Sequence, residues 1–191
     1  MKMPPSESLM NRRSMLVLGL AGSAALTASG VFGQPMPGPP PPLRNEAKLP
    51  AQARNMLSRI REAARSGEAA QLRIAIERNE LPPVFERGAR GHGVDILKRR
   101  SCDGEGREML RILIAVLDQG FMTTGATAAP QQFIWPYFAR TAFSALDPAT
   151  RSASWSLVRL ADIGLSVRDQ QPLWHRLGIG ADGTWHFFTS G

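Results

Sequence analysis

Seven prolines stand between residues 34 and 50, at 35, 37, 39, 40, 41, 42 and 50, and they divide the chain in two. Proline has no amide proton and a fixed φ, so such a stretch joins neither a helix ladder nor a central strand. The expectation is an extended, structureless linker over 34–50. Whatever core the chain builds must therefore come from residues 51–191, which read as one globular domain.

The 33 residues before the linker read as an export signal. Lys2, Arg12 and Arg13 supply a positive end, and residues 14–32 a weakly apolar run diluted by Gly19, Gly22, Ser23, Thr27 and Gly30. Arg12-Arg13-Ser14-Met15-Leu16 is twin-arginine-like. Val17 stands where that signal usually has lysine, which leaves a general secretory signal open. A run so rich in glycine and hydroxyls gains little from lipid, so cleavage near Gly30 or Gly33 is expected instead of a retained membrane span. The expected location is the periplasm.

Removing residues 1–33 takes away Lys2, Arg12, Arg13 and Glu7. It leaves 20 basic and 15 acidic residues, a net charge of +5. Eighteen of the 20 are arginine, since only Lys48 and Lys98 are lysine. An excess of this kind suits an anionic partner such as a polymer or lipid headgroup; a solvated basic surface is the simpler reading. Lys98-Arg99-Arg100 is too short for a nucleic-acid tract, and export argues against nucleic acid. Cys102 has no second cysteine to pair with and no histidine near it in sequence. It reads as a small buried thiol at a helix start, not a nucleophile.

Apolar periodicity predicts helices at 51–66 (Met56, Leu57, Ile60, Ala64), 68–79 and 94–100. A stronger one runs from about 106 to Asp118 (Leu110, Leu113, Ile114, Leu117) and stops at Gly120. Pro82-Pro83 ends the second helix. The glycine-rich segment 84–93 lacks the ending of a phosphate-binding loop and reads as a flexible connection. Residues 122–130 read as a loop. Asp147-Pro148 starts a further helix, expected to reach about Leu160.

The C-terminus reads as a β-hairpin turning on Ala181-Asp182-Gly183. Pairing Gly180 with Thr184 puts Leu177, Ile179, Trp185 and Phe187 on one face, with His175, and Arg176, Gly178, His186 and Phe188 on the other. A lone hairpin is marginal in water, so it is expected to pack on the helices or to join a further strand, which 165–168 or 132–135 could supply. The fold class is α+β: a mainly helical single domain with a C-terminal antiparallel hairpin.

Three strings carry a resemblance: Asp103-Gly104-Glu105-Gly106-Arg107-Glu108, Trp135-Pro136-Tyr137-Phe138-Ala139, and Gly178-Ile179-Gly180-Ala181-Asp182-Gly183-Thr184-Trp185-His186-Phe187-Phe188. From about residue 51 to its end the chain resembles a family of uncharacterised exported proteobacterial proteins. The resemblance implies export and no catalytic residue. Its relatives tend to carry an aromatic where His175 stands, which argues against an essential role for that histidine.

No recognisable catalytic constellation appears. The three histidines, His92, His175 and His186, do not converge in the expected register, so neither a metal nor a cofactor is expected. The sharpest binding reading is an aromatic platform of Tyr137, Trp174, Trp185 and Phe188 with His186, taking a glycan or protein of the envelope. The leading expectation is thus a non-catalytic accessory module with an unknown envelope partner. The rival is a hydrolase of an envelope polymer using His186 and a carboxylate, Asp182 or Glu108. A cleft bringing His186 to such an acid would favour the rival.

Overall fold

The computed structural model describes residues 38–125 and 130–191. The export signal with Arg12 and Arg13, and the first part of the proline-rich stretch, lie outside the described residues. Helix α1 (Ala51–Arg65) is set by its apolar stripe: Ala53, Met56, Leu57, Ile60, Ala63 and Ala64 are all buried. The chain turns at Gly67, with φ +77°, into a 3-10 turn (Ala69–Leu72) and the short helix α2 (Arg73–Glu77). Helix α3 (Gly93–Arg100) is capped by His92, whose Nδ1 accepts from the Val94 amide at 3.2 Å. Helix α4 (Arg107–Asp118) is the central one, apolar on several sides, with Ile112, Leu113 and Val116 fully enclosed. Asp103 and Ser101 accept from the free amide of Glu108 at its start, at 2.9 and 3.1 Å.

Four antiparallel strands pair in the order β1-β2-β3-β4: Met122–Thr124, Gln132–Trp135, His175–Gly180 and Trp185–Ser190. Residues 132–135 are the expected extra strand beside the hairpin. The other candidate, 165–168, lies in helix α6 (Ile163–Arg168). Residues 122–124 correct the loop expectation for 122–130, because they pair with β2 from Met122–Ile134 to Thr124–Gln132. Helix α5 starts at Asp147-Pro148 as expected, but its α-helical part stops at Ser154 and a 3-10 turn (Trp155–Leu157) follows. The molecule is an α+β domain, with helices α1 and α4 against the inner face of the sheet and one continuous core between them.

The register of the hairpin corrects the expected facing. Leu177 pairs with Phe188 and Gly178 with Phe187, while Ile179 pairs with Trp185, so His186 is the extra residue of a β-bulge. Two successive residues then oppose one partner, and the alternation slips by one position. Phe188 enters the core, fully buried beside Leu177, Ile179 and Trp185, and Phe187 turns outward with His186. His175 lies on the inner face, fully buried, as expected.

Two other expectations are corrected by local contacts. The linker is not free to its end at residue 50. Leu43 and Phe121 exchange backbone hydrogen bonds at 3.0 and 2.9 Å, Leu49 is buried, and Arg61 grips Glu46 bidentately at 2.8 and 2.6 Å. Six of the seven prolines precede this strap, and Pro50 closes it at the start of α1. Segment 84–93 is anchored too: Phe85 is buried against Trp185, ring centroids 5.2 Å apart. Val84 bonds to the outer edge of β4, its amide to His186 O and its carbonyl from Phe188 N, both at 2.9 Å. Gly93, without a Cβ, is what lets the Phe85 ring approach the start of α3.

Candidate functional site

The outer face of the sheet carries a cleft of about 360 Å³. Strand alternation builds its floor: Gln132 and Ile134 from β2, Arg176 from β3, and Phe187 and Thr189 from β4 all point to this side. Gly178 is the floor's enabling position. A Cβ there would stand 2.6 Å from Phe187 Cζ, so only glycine lets the ring lie across β3. At Gly180 the same holds for the side chains of Asp182 and His186. The bulge at His186 thus serves both faces: it sends Phe188 inward and lays His186 and Phe187 over two glycines outside.

Arg87 from the 84–92 segment, Arg140 from the turn after β2, and Arg176 from β3 line this cleft with His186, and among the described residues no carboxylate lines it. Among the described residues none of the three arginines forms an ion pair. Glu86, beside Arg87 in sequence, is turned away to Arg100 at 3.0 Å and Arg99 at 3.7 Å. Arg176 is half-buried, and its Nε is buried without a hydrogen-bond partner. Burial, followed by the charges of Arg87 and Arg140, lowers its pKa. The rest of the lining is Gln132 and Thr189, which are polar and uncharged, and the apolar Val84, Ile134, Ala139 and Phe187. Such a surface attracts anions and gives them amphipathic neighbours.

Of the five binding residues read from the sequence, only His186 lines this cleft. Trp185 and Phe188 are fully buried, and Trp174 is only 7% exposed. Trp185 packs on Phe85, Phe188 on His175, and Trp174 edge-on against Phe138. Tyr137 is half-buried, edge-on to Phe138, and shares a hydrogen bond with Thr150 at 3.0 Å. The expected aromatic platform is corrected: Trp174, Trp185 and Phe188 fill the core, and it is the bulge that turns Phe188 inward. Arg87, Arg140 and Arg176 were missed as a group; the arginine excess was their only signal.

The acids of the hydrolase reading have structural partners. Glu108 is buried and accepts from the amides of Cys102 at 2.8 Å and Leu160 at 2.6 Å. Burial raises its pKa, but these hydrogen bonds outweigh that and the net shift is downward. Asp182 caps the hairpin turn, accepting from Thr184 N and Oγ1, both at 2.9 Å, and those bonds hold its pKa down. Cys102 is exposed, which corrects the buried-thiol reading, and its pKa is raised, not lowered. Among the described residues no cluster of three or more His, Cys, Asp or Glu is placed to hold a metal, and no helix is long and apolar enough to cross a membrane. Comparison with protein-family models, curated proteins and solved structures returns no match.

Proposed function

We propose that this chain works outside the cytoplasmic membrane as a non-catalytic binding module of the cell envelope, and that the arginine cleft holds its anionic ligand. One observation carries the reading: three arginines without a partner acid converge with His186 on a partly apolar hollow. Holding like charges together in a half-buried site costs stability, and an anion that docks there recovers it. The twin-arginine-like leader and the resemblance to exported proteobacterial proteins support the location.

Calorimetric titration of the chain from residue 38 onward tests the ligand class. Benzoate and phenyl phosphate are compared with neutral benzyl alcohol. Binding of an anion, with the alcohol ignored, is the expected result; equal binding of all three removes the reading. Export is checked by sequencing the N-terminus of the periplasmic form, with Arg12 and Arg13 replaced by lysine to separate the two routes.

The hydrolase reading keeps one supporting observation, that the His186 and Asp182 side chains both lie close to Gly180. Its test is release of soluble fragments from envelope polymer. Release abolished by His186→Ala would replace the binding reading.

A further inference from the structure

We propose that the arginine cleft receives a phosphoryl group carried on an apolar body, a specificity that rests on the anion-binding reading above. The argument is one of charge and geometry. The three guanidinium groups come from separate segments, the 84–92 connection, the turn after β2 and the middle strand, so they approach one hollow from different directions. One guanidinium fork takes one lone pair on each oxygen of a carboxylate and leaves only the two outer ones for other donors. A single carboxylate also brings one negative charge to three arginines, so most of the positive charge would stay unneutralised. A phosphate monoester has three terminal oxygens and carries a charge between −1.5 and −2 near neutral pH. It can meet all three forks at once, and Gln132, Thr189 and His186 offer further polar contacts around it.

The apolar lining decides what the phosphoryl group is attached to. Ile134, Ala139, Val84 and Phe187 form the rest of the wall, and Phe187 is held there by Gly178 beneath it. A small hydrated anion would leave this wall unused. A phosphate on an aromatic or acyl body covers it. The opening of the cleft lies on the face of the sheet away from the helices, so both a soluble phosphomonoester and the headgroup of a phospholipid monoester can reach it.

Titration of the chain from residue 38 with phenyl phosphate, inorganic phosphate and benzoate reads the specificity. The expected order is phenyl phosphate tightest, with benzoate weaker by about tenfold or more. Arg176→Met and Arg140→Met should each weaken phenyl phosphate about tenfold, since each deletes one charge-assisted fork. Arg176→Met should at the same time raise the thermal midpoint of the unliganded protein, because it removes a half-buried cation that has no partner. That rise shows the variant is folded when it fails to bind.

Sedimentation with phosphatidylcholine vesicles, with and without phosphatidic acid, separates the two sources of phosphate. Binding to the acidic vesicles alone assigns a lipid headgroup, and binding to phenyl phosphate alone assigns a soluble ester; both results support the inference. Benzoate as tight as phenyl phosphate, with both lost on Arg176→Met, overturns the phosphoryl specificity and leaves the anion site standing. No binding of any anionic probe, or binding unchanged in both variants, overturns the two together.

Discussion

His175 is the residue whose environment makes the sharpest prediction. It is fully buried, its Nδ1 is 3.0 Å from Leu157 O, and its Nε2 has no partner. Burial lowers its pKa to about 4, opposed by the bond to Leu157. The native state thus keeps the ring neutral, while the unfolded chain protonates it near pH 6.5. Its contribution to stability is complete above about pH 6.5 and is lost as pH falls toward 4, a loss on the order of 3 kcal/mol. His175→Phe should flatten that slope in urea unfolding curves taken from pH 7 to 4, and should fold well because Phe188 already packs on the ring. An unaltered slope would show that another group carries it. Gly178 is decisive on the opposite face. Gly178→Val should displace Phe187, cost about 1–3 kcal/mol as overpacking does, and weaken anion binding; denaturation and titration of one sample read both effects.

Among the elements, the strap at 43–50 and the bulged hairpin were the least legible. Periodicity reports an element only when its side chains repeat against one surface. The strap has no period. It is held by a two-residue bridge, one buried leucine and the Glu46–Arg61 pair, whose partners lie in α1 and at the end of α4. Leu49→Ala should cost about 2–3 kcal/mol, and Glu46→Ala, which breaks a partly exposed pair, about 0.5–1 kcal/mol. Chemical denaturation of each variant checks these values; no change on Leu49→Ala would mean the strap does not help hold the fold. The bond from Arg61 holds the Glu46 carboxyl below its ordinary pKa. The strap's pair is therefore intact above the unfolded value and weakens as pH falls through the folded one. The hairpin turn was readable because Asp182 and Gly183 have turn chemistry, with Gly183 at φ +86°. The bulge was not, since two neighbouring aromatics, Phe187 and Phe188, offer either face an equally apolar side chain.

At the scale of the molecule, the outcome is a sheet with one face in the core and the other carrying unpaired positive charge. Mutual repulsion among Arg87, Arg140 and Arg176 is screened by salt over about 10 Å at 0.1 M. Raising ionic strength from about 0.05 to 0.5 M should therefore raise the thermal midpoint without ligand and weaken phenyl phosphate binding. Scanning calorimetry and titration across that range test both; salt-independent binding would place the ligand elsewhere. Helices α1, α3 and α4, the helix start at Asp147-Pro148, the terminal hairpin and the α+β class were legible in the residues alone. These follow from local periodicity and turn chemistry, which act over a few residues. Long-range packing settles which of Phe187 and Phe188 is buried, that 43–50 belongs to the fold, and that Arg87, Arg140 and Arg176 share one hollow. Those facts depend on which distant segments meet, and a register slip of a single residue reverses them.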